Sequence, residues 1–195
     1  CGKTTFLEAA LLATGVISRM GKVEDGNTVS DYDKMEVERG YSINTSVVPI
    51  LWKENKINFI DTPGYFDFVG EVNAALRAAE AAVIMVDAGS GIQVGTEAAW
   101  KACERYKTPR FIVINKRDKD EFDFYKTFGE LKDKFGEKLI PFSWPLSAEI
   151  DEELKEAIAM TDDELMEKYF NGDDFSDEEV LRGLKKGIAD GGIVP

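Results

Sequence analysis

The sequence predicts an α/β fold, a mostly parallel sheet flanked by helices, followed by an acidic helical part. Three observations carry this. The apolar runs at residues 82–86 and 111–114 read as strands buried on both faces, as parallel strands are. Amphipathic helical patterns alternate with them. A polar residue closes each strand-like run, Asp61 after Ile60, Asp87 after Val86 and Asn115 after Ile114. In open α/β sheets that edge is where ligands bind.

The elements follow in order. Residues 4–13 have helical periodicity directly after Gly2-Lys3, so the chain opens on a loop-to-helix junction. Residues 15–39 are polar and weakly periodic and read as a long loop, a length that is usually functional inside a compact domain. Residues 46–52 and 56–60, parted by Glu54-Asn55, read as a hairpin. Residues 68–80 and 95–106 read as helices on either side of the strand at 82–86. After Pro145 come acidic helices over residues 152–159, 162–170 and 176–187. Ser176 with Glu179, and Thr161 with Glu164, have the spacing of capping boxes. The expected organisation is one domain over residues 1–146 and an acidic helical part over 147–195.

Composition narrows the function. At 195 residues and 44% hydrophobic, the chain has enough material for a sizeable core. Cys1 and Cys103 are too few for a disulfide framework and form no CxxC, so both read as reduced thiols. The absence of histidine excludes Ser-His-Asp and Cys-His catalysis and histidine-bearing zinc sites. No stretch approaches the roughly 18 apolar residues of a membrane span, and no basic leader precedes an apolar run, so a cytoplasmic protein with no membrane partner is expected. The net charge of -13 looks hostile to nucleic acid, but its distribution changes that reading; DNA is not among the expected partners. Residues 147–195 hold 15 Asp and Glu against 5 Lys and Arg, so the acidity belongs to the C-terminal part. A solvated helical surface and a contact with a basic partner both fit it.

Three motifs carry chemistry. Gly2-Lys3-Thr4 at the start of a helix has the form of the end of a phosphate-binding P-loop, whose first glycine would precede residue 1. There, backbone amides and the helix N-terminus bind phosphates, the lysine reaches the β and γ phosphates and the hydroxyl binds Mg²⁺. Taken alone, the tripeptide fits a plain helix start equally. Asp61-Thr62-Pro63-Gly64 puts a carboxylate at a strand end, where P-loop nucleotidases hold Mg²⁺, and a glycine whose amide can approach the γ-phosphate. An ordinary Pro-Gly turn reads the same way. Asn115-Lys116-Arg117-Asp118 is the sharpest signal. An aspartate accepting from the N1 and N2 groups of guanine selects it over adenine, while the asparagine and lysine hold the loop and cover the base. A polar turn is the alternative.

With these motifs in this order, residues 1–146 resemble the G domain of elongation factor G, a translational GTPase with a P-loop NTPase fold. Residues 162–195 resemble the family's inserted subdomain, above all in DDELMEKYFNGDDFSDEEV. The resemblance implies GTP and GDP as ligands with Mg²⁺ as cofactor. It implies nucleotide binding by Gly2, Lys3, Thr4, Thr5, Asp61, Gly64, Asn115, Lys116 and Asp118, and Mg²⁺ binding by Thr4, Asp61 and Ser42. Ser42 stands in Glu38-Arg39-Gly40-Tyr41-Ser42-Ile43, which looks like the first switch, where the family has a threonine. Lys3, Gly64 and Tyr65 would serve hydrolysis. The implied partner is the ribosome, its large-subunit RNA and proteins, reached through the full-length protein as a monomer.

Two departures stand out. The family's second switch reads Asp-Thr-Pro-Gly-His, and here Tyr65 follows Gly64. A phenol, with an ordinary pKa of about 10, can orient water but is no substitute for an imidazole as a proton acceptor. Slow hydrolysis, or a ribosome-binding switch with negligible hydrolysis, is therefore the alternative reading, and a ribosomal-protection factor of the tetracycline-resistance type is another. The stretch between Leu146 and Glu152 is also shorter than the family's insert, and Ile193-Val194-Pro195 stands just before the strand and Ser-Ala loop that complete the guanine pocket. Segments are thus expected to be missing before residue 1, near 147–151 and after 195, and the piece by itself is expected to bind nucleotide poorly.

Overall fold

A computed structural model of the chain describes residues 1–118, 123–142 and 150–195. The boundary expected at residue 146 and the short stretch after it lie outside the described residues, except Ile150 and Asp151. The fold is α/β, and by contacts it divides into two compact units. One comprises residues 1–80 and 93–102, the other residues 81–92 and 103–195.

The first unit opens on helix α1, Lys3–Ala13, whose Leu7 and Leu11 pack with Val48 and Ile50 as a small core. Burying such side chains contributes about 1.5–3 kcal/mol each. Strands β1, Ser46–Trp52, and β2, Asn55–Asp61, form the expected antiparallel hairpin, with Trp52 opposite Asn55. The turn is at Lys53-Glu54, one residue earlier than the sequence suggested. Both residues have positive φ, 45° and 67°, which matches the twist of a two-residue hairpin loop. Residues 15–39 are not loop throughout. They contain the helix α2, Lys34–Arg39, closed at its start by a capping box between Asp33 and Glu36. After Asp61 the chain makes a 3₁₀ turn at Phe66–Phe68 and enters helix α3, Val69–Ala78.

In the second unit, β3, Ala82–Asp87, pairs in parallel with β4, Arg110–Asn115, in a register that sets Asp87 beside Asn115. The connection between these strands carries helix α4, Val94–Tyr106, of which residues 94–102 belong to the first unit. Helix α5, Phe124–Phe135, lay unread in the sequence; Asp123 caps it by accepting from Lys126 N. Three acidic helices follow, α6 Glu152–Ala159, α7 Asp163–Asn171 and α8 Asp177–Asp190. Their inner faces meet over Leu154, Ile158, Leu165, Val180 and Leu184, with Ile140 and Ile193. The Ser176–Glu179 capping box forms as expected. The Thr161–Glu164 box does not. Asp162 caps α7, and the Thr161 hydroxyl donates back to Ile158 O at 2.7 Å, because a residue one step nearer the helix already supplies the acceptor. The C-terminal segment runs parallel to residues 138–140, and the Pro195 carbonyl accepts from Ile112 N of β4 at 2.8 Å.

Candidate functional site

The first unit gathers residues that lie far apart in sequence around one carboxylate. Asp61, at the end of β2, is buried, and its Oδ2 accepts from Thr4 Oγ1 and from Ser30 Oγ, both at 2.9 Å. Next to it lies Asp31, also buried, whose Oδ1 accepts from Ser42 Oγ at 2.6 Å. Burial pushes the Asp31 carboxyl up from its ordinary value; the Ser42 bond opposes this, and the negative charges of Asp61, Glu36 and Glu8 add to it. Lys3 supplies the local positive charge. Burial lowers the pKa of its ammonium, against the pull of Asp61 and Asp31. Its Nζ faces Gly64, where an added Cβ would come within 2.8 Å of it and the lysine end would have to shift aside.

Gly2 caps α1 in the left-handed region, with φ of 87°, and its carbonyl accepts from Phe6 N. The first turn of α1 carries no acidic residue of its own, and a helix N-terminus suits an anion. Thr5, in the same turn, is exposed. Lys3, Thr4, Ser42, Asp61 and Gly64 are thus brought together, and Tyr65 stands at the edge, 56% exposed, its ring 4.6 Å from that of Tyr41.

The loop bearing Ser30, Asp31 and Ser42 is fastened by carboxylates. Glu8 of α1, itself buried, accepts from Gly21 N at 2.7 Å and Val29 N at 2.6 Å. Buried Glu36 accepts from Ile43 N at 2.8 Å and Asn44 N at 2.9 Å. Glu71 of α3 accepts from Thr45 N at 2.9 Å. A buried carboxylate is tolerated where such amides satisfy it.

In the second unit the expected base-reading residues stand at the end of β4, Asn115, and just after it, Lys116 and Asp118. The Asn115 carbonyl accepts from Ala88 N at 2.8 Å, and Lys116, at φ of 61°, reaches back to Asp87 with Nζ 2.8 Å from Oδ2. Asp87 Oδ1 also accepts from Gly89 N at 3.0 Å. Asp118, two residues further on, is exposed.

Ser30, Asp31, Glu8, Glu36 and Asp87 were not read from sequence as members of these clusters. The Asp33-to-Glu36 spacing is a capping-box signature that could have located α2, and Asp87 closes a buried strand. Ser30-Asp31 carries no local signal.

The cluster around Asp61 offers only hard oxygen donors, two carboxylates and three hydroxyls, with Lys3 as its cation. That set suits Mg²⁺, which completes its shell with phosphate oxygens and water. Among the described residues no group of three or more His, Cys, Asp or Glu is arranged to hold a metal, and no helix is long and apolar enough to cross a membrane.

Residues 1–185 match the family of the elongation factor Tu GTP binding domain. The whole chain aligns with elongation factor G of Granulibacter bethesdensis at 35% identity over 235 positions. It spans 34% of that relative's length. A crystal structure of a protein from Thermus thermophilus superposes with a TM-score of 0.88 at 33% identity, covering 100% of this chain and 35% of that one.

Proposed function

Since the chain belongs to the elongation factor G family of translational GTPases, we propose that it is the GTP-binding and GTP-hydrolysing switch domain of a factor acting on the ribosome. The observation that carries the reading is the Thr4–Asp61 hydrogen bond at 2.9 Å, which joins the end of the P-loop motif to the Asp-Thr-Pro-Gly motif. Ser42 and Lys3 lie around it through Asp31 and Gly64.

In this reading each residue has a physical task. Lys3 and the N-terminus of α1, with Gly2 and Thr5, bind the phosphates, and Lys3 stabilises the charge that develops as the γ-phosphoryl group leaves GDP. Thr4, Ser42 and Asp61, with Asp31 beside them, would hold Mg²⁺, which would supply neutralisation of the phosphate charge. Gly64 offers its amide to the γ-phosphate. Tyr65 orients the water whose oxygen bonds to phosphorus. Asn115, Lys116 and Asp118 select guanine. Ordering of the segments around Ser42 and 61–65 by GTP, and their release after hydrolysis, makes the switch. The corresponding address is the cytoplasm, with the ribosome as partner and the protein a monomer.

A second reading, a GTP-dependent ribosome-binding switch with negligible hydrolysis, is favoured by one residue, Tyr65 in place of a proton-accepting imidazole. Single-turnover GTP hydrolysis by the full-length protein, with and without ribosomes, separates the two. Ribosomal stimulation supports the enzyme; tight GTP-dependent ribosome binding without stimulation leaves only the second reading.

A further inference from the structure

Tyr41 and Tyr65 meet ring to ring, with centroids 4.6 Å apart and planes inclined at 54°. Each is adjacent in sequence to a member of the Asp61 cluster. Tyr41 precedes Ser42, whose hydroxyl donates to Asp31. Tyr65 follows Gly64, which lies against the Lys3 ammonium. Tyr41 is also held from its other end, because Arg39 Nη1 donates to Tyr41 Oη at 3.1 Å. Tyr65, by contrast, is 56% exposed and starts a 3₁₀ turn from an extended conformation. An exposed aromatic side chain in a loop ordinarily distributes over several χ1 rotamers. A ring contact of this kind biases such a distribution about two- to tenfold.

We infer that Tyr41 is a positioning residue for Tyr65. Its ring, steadied by Arg39, selects the direction of the Tyr65 phenol and makes that direction depend on the order of the segment that carries Ser42. The inference rests on the hydrolytic reading above only for its consequence: a water-orienting group that is aimed correctly when both segments are in place, and misaimed when the Ser42 segment is released. The pairing itself is a property of the chain and can be tested without nucleotide.

The test uses the full-length protein as wild type, Tyr41→Ala, Tyr41→Phe, Tyr65→Ala and the double alanine variant. Single-turnover GTP hydrolysis is measured on ribosomes across GTP concentrations, and amide hydrogen exchange is measured on the nucleotide-free proteins. Tyr41→Ala is expected to lower the maximal rate about three- to tenfold with the half-saturating GTP concentration unchanged, and Tyr41→Phe to retain most of the rate. In the Tyr65→Ala background Tyr41→Ala should add nothing, as expected of residues that act through one contact. Exchange at residues 63–68 should quicken in Tyr41→Ala while residues 46–52 stay protected. A full additional loss in the Tyr65→Ala background, a Tyr41→Phe rate as low as that of Tyr41→Ala, or unchanged exchange at 63–68 would each overturn the inference. A wild type that hydrolyses no GTP on ribosomes sinks the hydrolytic reading instead, and the exchange result still decides the pairing.

Discussion

The Thr4 hydroxyl donates to Asp61 Oδ2 at 2.9 Å across 57 positions of sequence, and Ser30 donates to the same oxygen. One carboxylate oxygen thereby ties the start of α1 and the following loop to the end of β2. Thr4→Val keeps the shape and removes the donor. It is expected to cost about 1–2 kcal/mol of stability, read by urea unfolding. GTP binding in Mg²⁺ should weaken more than tenfold, about 1.4 kcal/mol or more, while Thr4→Ser stays near wild type. Equal GTP affinity for the valine variant would remove Thr4 from the cation site.

Tyr65→His tests the residue that departs from the family pattern. An imidazole, with an ordinary pKa of about 6.5, can take a proton near neutral pH where a phenol cannot. Ribosome-stimulated hydrolysis should rise about tenfold or more, with the melting temperature unmoved because the side chain is mostly exposed. Equally robust rates in both proteins would mean that Tyr65 or a neighbour already holds the water.

Asp118→Asn exchanges an acceptor for an amide donor. GTP affinity should fall about a hundredfold or more and xanthosine triphosphate affinity should rise, measured by competition binding. Unchanged guanine preference would show that Asp118 does not read the base.

The acidic helices give a pH prediction. Glu179 is held at a pKa of about 2, below its ordinary 4.5, chiefly by Lys168 and then by the Ser176 amide. A depressed carboxyl contributes stability that is present above the ordinary value and is lost as pH falls toward the folded one. The helical signal of α8 should therefore weaken from pH 4.5 down to about 2, and Glu179→Gln should flatten that stretch of the acid unfolding curve. Parallel curves would exclude the Lys168–Glu179 pair as a source of stability.

Gly183→Ala sets two effects against each other. In a helix interior alanine gains about 1 kcal/mol over glycine. Here its Cβ would lie 2.7 Å from Ile158 Cγ2, a branched core position that cannot swing away, and 3.3 Å from Leu165 Cδ1. Overpacking of that kind costs about 1–3 kcal/mol, so net destabilisation is expected in urea unfolding. A more stable variant would mean that α6 and α8 separate easily.

What the sequence made legible follows from locality. The strand runs at 82–86 and 111–114, the hairpin and the helices at 152–159 and 176–187 announce themselves by patterns a few residues long, and each is present. The motif residues at strand ends were legible because their chemistry is written in three or four adjacent letters. Ser30 and Asp31 were not, since their roles come from hydroxyl and carboxylate contacts with residues up to 31 positions away. Helix α2 is six residues long, too short for periodicity to register, and only its capping box could have announced it. The Tyr41–Tyr65 contact is likewise invisible until the chain is folded.

The carboxylates that fasten residues 21–45 act as a ruler. Glu8 meets the amides of Gly21 and Val29, Glu36 those of Ile43 and Asn44, and Glu71 that of Thr45, so each residue count between anchor points is fixed. A surface loop normally absorbs an extra residue at little cost. Here one inserted residue between Gly21 and Val29 would shift an amide off a carboxylate that is only 1% exposed, so length changes in evolution or engineering are expected to fall at residues 14–20 instead.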